Sequence, residues 1–150
     1  MIEQQATKHA AAIVPAVVNN ASVTSVVVDC IGYAYAELVL FLGASDIALT
    51  ALKVQECDTS GGSYVDVTGT VVGTDNTIAG VASVLPSATD DNHFFEFDLD
   101  MRKRKRFLKL IVTVGNGSVG AALAAWATLS RGAIMPVTAA DRGVTAVLRV

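Results

Sequence analysis

The stretch that decides the fold starts at Phe94-Phe95-Glu96-Phe97-Asp98-Leu99-Asp100 and passes through a basic run, Arg102 to Arg106, into Phe107-Leu108-Lys109-Leu110-Ile111-Val112-Thr113-Val114. It ends with Gly115-Asn116-Gly117-Ser118-Val119-Gly120 and the apolar segment Ala121 to Leu129. One reading places β-strands on either side of a tight turn. The other takes Gly115, Gly117 and Gly120 as G-x-G-x-x-G between a strand and a helix, where a pyrophosphate approaches backbone N–H groups. That fingerprint needs a βαβ unit and an acidic residue about 20 positions on. Asp141 lies near that distance but precedes the last apolar stretch, and the upstream segments show no strand and helix alternation.

The strand reading accounts for more residues. Phe95, Phe97, Leu99 and Met101 alternate with Glu96, Asp98 and Asp100, the period of a half-buried strand. Leu108, Leu110, Val112 and Val114 repeat the pattern, and Val119, Ala121, Leu123, Ala125, Ala127 and Leu129 would share one face of a return strand. Asn116-Gly117 then suits a type I′ hairpin turn, because both residues tolerate positive φ. Against this, the alanines of 121–127 favour helix by intrinsic propensity.

At 150 residues and 15.5 kDa the chain suits one domain with a core that needs no metal or disulfide. Hydrophobic residues make up 52% and charged ones 17%, so some apolar surface is expected to meet a partner. No run approaches the roughly 18 uncharged residues that cross a bilayer. The N-terminus, with Glu3 and His9, lacks the basic region of a signal peptide. The expectation is a soluble protein with no membrane partner.

Net charge is −3, but six of the 11 basic residues (Arg102, Lys103, Arg104, Lys105, Arg106, Lys109) fall within eight positions, leaving five against all 14 acids elsewhere. Such a run can be a solvated strand edge that blocks edge pairing, a contact to an acidic protein neighbour, or a phosphate-binding patch. No nucleic-acid partner is expected, because the acidic remainder repels a polyanion and no aromatic platform accompanies the patch. Cys30 and Cys57 have neither C-x-x-C spacing nor a nearby histidine and read as buried thiols.

Along the chain, residues 1–22 look like an arm or edge segment around Pro15, leading into the domain. Strands are expected at Val23 to Ile31, Tyr35 to Leu42, Ile47 to Glu56 and Tyr64 to Val67, with Asp58 to Ser63 folding back a hairpin. Residues 68–93 read as a long connection between sheets. The tail, 131–150, with Pro136 and Gly143, reads as an extended arm. The expected fold is all-β: an antiparallel β-sandwich, jelly-roll or immunoglobulin-like, at 23–130 with N- and C-terminal arms.

No chemistry stands out. Asp90-Asp91-Asn92-His93 reads as a turn, since a calcium loop needs more oxygens at fixed spacing. Ser63, Ser118 and Ser130 lack a nucleophile elbow, and Cys57 lacks a histidine in sequence. Glu96, Asp98 and Asp100 are expected to face the basic run on a neighbouring strand. Trp126, the only tryptophan, reads as a buried or interface anchor. No catalytic, cofactor-binding or metal-binding residue is assigned.

The segments Leu52-Lys53-Val54-Gln55-Glu56, Ser63-Tyr64-Val65-Asp66-Val67 and Arg104-Lys105-Arg106-Phe107-Leu108-Lys109-Leu110 resemble those of small virion proteins of tailed bacteriophages, the capsid decoration or cement proteins above all. The resemblance covers roughly residues 35–130. It implies a non-enzymatic β-sandwich on the outer capsid surface of the virion that stabilises the head, with the major capsid protein and its own copies as partners, often as a trimer. Arg102, Lys103, Arg104, Lys105 and Arg106 would then form the capsid-contact patch, and the arms would reach adjacent subunits. The alternative is a receptor- or glycan-binding β-sandwich of a phage fibre or tail.

Overall fold

The computed structural model describes residues 6–134, 136 and 138–148. Among them are β1 (Lys8–Val18), β2 (Ser22–Thr24), β3 (Val28–Asp29), β4 (Tyr33–Ser45), β5 (Leu49–Cys57), β6 (Val65–Asp66), β7 (Thr77–Ile78), β8 (Val81–Ala82), β9 (His93–Asp100), β10 (Phe107–Val114) and β11 (Ala121–Gly132). One sheet has the order β1-β11-β4-β9. The other runs β2-β10-β5-β6, with β3 also on β10, and β7 and β8 form a separate ribbon. All pairings are antiparallel.

Leaving aside the β7–β8 ribbon, the chain changes sheet at each connection except β2 to β3 and β5 to β6, and the two orders interleave as a jelly roll. The immunoglobulin-like alternative is excluded, because there the last two strands pair in one sheet, whereas β10 and β11 lie in different sheets. The core lies between the sheets. Leu38, Leu40 and Leu42 from β4, Leu52 and Val54 from β5, Leu108, Leu110 and Val112 from β10 and Leu123 and Leu129 from β11 are all buried there. Each such side chain contributes about 1.5–3 kcal/mol over leaving it in water.

Residues 121–132 are a strand despite their alanines. Ala125 and Ala127 lie opposite Leu40 and Leu38, so small residues on β11 accommodate large ones on β4. Packing between two sheets outweighs a weak helical preference. The expected face is also right, with Ala121, Leu123, Ala125, Ala127 and Leu129 buried, except that Val119 precedes the strand and is exposed.

The hairpin expected at Asn116-Gly117 is not formed. Residues 115–120 carry the chain from one sheet to the other, and neither Asn116 nor Gly117 has the positive φ of a type I′ turn. The strand expected from Val23 to Ile31 is split. At buried Ser25 the chain leaves the regular ladder, and the Ser25 hydroxyl accepts the Leu110 N–H at 2.8 Å in place of a backbone carbonyl.

The 58–63 turn does fold a hairpin, pairing Gln55 with Asp66 and Glu56 with Val65. Residues 68–93 cross between sheets as expected, tied to β5 by Val72 N–H to Leu52 O and, just before them, by Val67 N–H to Val54 O. Half of the segment read as an N-terminal arm or edge segment is β1, the edge strand of its sheet, paired with β11. The segment after Gly132 folds back on the same end of the sandwich, where Ala133 donates to Gly32 O and Arg142 O accepts from His9 N–H. Among the described residues no helix is long and apolar enough to cross a membrane.

Candidate functional surface

The outward face of the β1-β11-β4-β9 sheet is divided along the strands. At the end where β4 finishes and β11 starts, the outward residues are apolar. Phe41 lies directly opposite Phe94 and its ring is 4.8 Å away, while Trp126 meets Phe94 edge-on at 6.0 Å. Phe94 is 62% exposed and Trp126 37%. Beside them, Pro15, Ala16, Val17, Phe41, Ala122 and Ala124 bound an open groove of about 600 Å³ whose floor is small because β11 offers alanines there.

Toward the other end the same face is acidic. Glu37 and Asp98 are directly opposed across β4 and β9, an unfavourable pairing. Glu96 sits beside them, and its carboxyl is raised above the ordinary range by partial burial and by the charges of Glu37 and Asp98. No ion pair to Glu37, Glu96 or Asp98 is formed among the described residues.

Both edges of this sheet are blunted. β1 carries Pro15 and two register shifts, and β9 carries the acids. Proline, bulges and charges of this kind oppose pairing with a further strand. The face, rather than the edges, is the surface open to a partner.

The basic residues lie at the acidic end, in the connection from β9 to β10. Met101–Lys103 form a 3-10 turn capped by the Asp100 side chain. Arg102 pairs with Asp100 and Arg106 with Asp29, while Arg104 and Lys105 lie 3.9 Å from Glu56 and Asp58. Lys103 is exposed and has no ion pair among the described residues. The five cations are thus largely compensated by carboxylates of the same chain. Asp29 and Asp100 are held below the usual carboxylate range by Arg106 and Arg102. The expectation that Glu96, Asp98 and Asp100 face the basic run holds for Asp100 alone, because β9 is an edge strand whose one neighbour is β4.

Gly115, Gly117 and Gly120 have a structural explanation. No helix follows them, and the Asp46 carboxylate accepts the N–H groups of Ser118, Val119 and Gly120 at 2.7, 2.8 and 2.7 Å. These amides hold Asp46 below its usual pKa, Val119 and Gly120 contributing most. The donors that a phosphate would need are therefore filled from within. A Cβ at 117 would collide with the Asp46 carboxylate, and one at 115 would come within 2.8 Å of the Ile47 side chain. At 120 a Cβ would strike Val18 O, and φ is +99°.

The other candidates are also built into the fold. Asp90 accepts from the Ser87 N–H and hydroxyl, and Asp91 accepts from Ser45 N–H. Among the described residues no group of three or more His, Cys, Asp or Glu is placed to hold a metal ion. Cys30 and Cys57 are free and buried. Burial pushes the Cys30 thiol up to about 12, whereas amides of the 58–63 turn, Thr59 foremost, lower that of Cys57.

Sequence reasoning read Trp126 as a buried or interface anchor, and it lies 37% exposed on this face; Phe41, Phe94 and the groove were missed. The signal was present in the doublet Phe94-Phe95. In a strand, adjacent aromatics point to opposite faces, so one must leave the core. No protein-family model and no curated protein sequence matches the chain.

Proposed function

We propose that the chain is a non-enzymatic virion structural protein, a capsid decoration protein that assembles with its own copies on the outer head surface and stabilises it. The observation that carries this reading is the uncovered apolar half of the β1-β11-β4-β9 face, with Phe41, Phe94 and Trp126 at its centre. Aromatic anchors beside a shallow groove, on a scaffold whose edges are blunted, suit contact with folded protein. Asp90 and Asp91, which sequence reasoning weighed for cation binding, are engaged in holding turns. The Arg102 to Arg106 connection would face the major capsid protein. Its compensated charge makes shape, more than net attraction, the basis of that contact.

The test is co-sedimentation of the purified protein with DNA-free heads of the phage that encodes it. Binding that saturates and raises the temperature at which heads break open is expected; protein that stays in the supernatant at micromolar concentration refutes the proposal. The exposed Trp126 and Phe94 pair also favours a second reading, a glycan-binding domain of a fibre or tail. Glycan-array binding lost on Trp126→Ala, without head binding, would select it.

A further inference from the structure

Two apolar features of this chain are left uncovered by its own fold. The first is the β7–β8 ribbon, whose tip residues Ala79 and Gly80 both have positive φ (51° and 82°), as in a tight hairpin turn. It pairs with neither large sheet, and Ile78, Val81 and Val84 are 72, 69 and 86% exposed. No charged residue occurs from Asn76 to Thr89. The second is the groove bounded by Pro15, Val17, Phe41, Ala122 and Ala124, which is likewise lined by uncharged residues.

We infer that the ribbon of one copy seats in the groove of a second copy, head to tail, so that copies join into a closed ring. This rests on the self-assembly part of the proposed function and names the surfaces that perform it. The base of the ribbon is fixed beside the start of β5, where Leu49 donates to Pro86 O, and the groove lies where β4 finishes and β11 starts. Both are at the same end of the sandwich. Rotation about an axis parallel to the strands therefore brings one onto the other at equal height, and a heterologous contact of this kind closes when the rotation does.

Charge selects this mode over others. Two copies laid face to face would either oppose their Glu37, Glu96 and Asp98 carboxylates or press them onto the apolar half of the partner. The ribbon enters the groove with no charge to desolvate. One repeated contact also covers both of these features, which a foreign partner of either feature alone would not do.

Sedimentation velocity across a concentration series tests the inference. Wild-type protein is expected to pass from monomer to one discrete oligomer. The double variant Ile78→Ser, Val81→Ser and the groove-filling Ala124→Leu should each associate at least about tenfold more weakly, which removes roughly 1.4 kcal/mol. Mixed together, the two variants retain one intact ribbon and one intact groove and should form a 1:1 dimer that grows no further. The ribbon side chains are exposed in the free chain, so that variant reads the contact even where Ala124→Leu does not fold. A wild type that stays monomeric at all concentrations, or a ribbon variant that associates as tightly as wild type, overturns the inference. A monomer that still binds heads would sink this inference and leave the head-binding part of the proposed function standing. A ring that ignores heads would do the reverse.

Discussion

Ser25→Ala removes a hydroxyl that stands in for a main-chain carbonyl. Between β2 and β3, Ser25 N–H donates to Leu110 O and Leu110 N–H donates to Ser25 Oγ, each at 2.8 Å, while the hydroxyl proton goes to Val26 O at 2.8 Å. Ser25 is 4% exposed and Leu110 fully buried, so water does not replace the lost acceptor. An orphaned buried N–H costs about 1–3 kcal/mol. With a urea m value of about 2 kcal/mol/M, the unfolding midpoint should fall by roughly 0.5–1.5 M. Equilibrium urea unfolding at one fixed protein concentration, followed by Trp126 fluorescence, measures it. Thr24→Ala, one residue earlier and exposed, is the control and should leave the midpoint in place. A Ser25→Ala midpoint within about 0.2 M of wild type would refute the reasoning, since it would mean that the hydroxyl is no part of the β10 ladder.

Other outcomes follow from named contacts. Asp46 has a lowered folded pKa, so its contribution is complete above the unfolded value, near 3.8, and is lost as pH falls through the folded one. Asp46→Asn should therefore lower stability at pH 7 and shrink the loss between pH 7 and about pH 3, as read by thermal melts; an unchanged acid limb would contradict the Asp46 bonds. Glu96 has a raised folded pKa, so its charge opposes folding above that value. Glu96→Gln should raise the melting temperature at pH 7 and lose this advantage below about pH 4; a lower melting temperature at pH 7 would show that a partner compensates the charge. Gly120→Ala should cost about 1–3 kcal/mol through its left-handed φ, with the collision at Val18 O in addition, and denaturant midpoints compare it with Gly61→Ala, which meets open space and should be near neutral.

Much of the architecture was legible because the alternation of 94–114 has only one structural reading. Phe97, Leu99, Leu108 and Leu110 turned inward as their spacing requires. Alternation says which face a side chain takes, but not which sheet a strand joins. Asn116-Gly117 therefore read as a hairpin, although the glycines serve the approach of Asp46 and the change of sheet. Contacts this distant in sequence leave no local mark. Ser25 likewise breaks a strand through a hydroxyl bond to a residue 85 positions away. The basic run was visible as charge, but apart from Asp100 its carboxylate partners lie on β3, β5 and the turn after it, so most of its compensation was not. The groove arises from β1, β4 and β11 together and exists only once they are side by side.

Trp126 is the only tryptophan and lies in the face on which the functional account depends. Acrylamide quenching of its fluorescence, measured in dilute free protein and again with excess DNA-free heads, tests that account most directly. The account predicts that assembly on the head shields Trp126, with a blue-shifted emission and a several-fold smaller quenching constant. Equal quenching in the two samples would contradict it, because the face would then remain as open to solvent on the head as it is in the free chain.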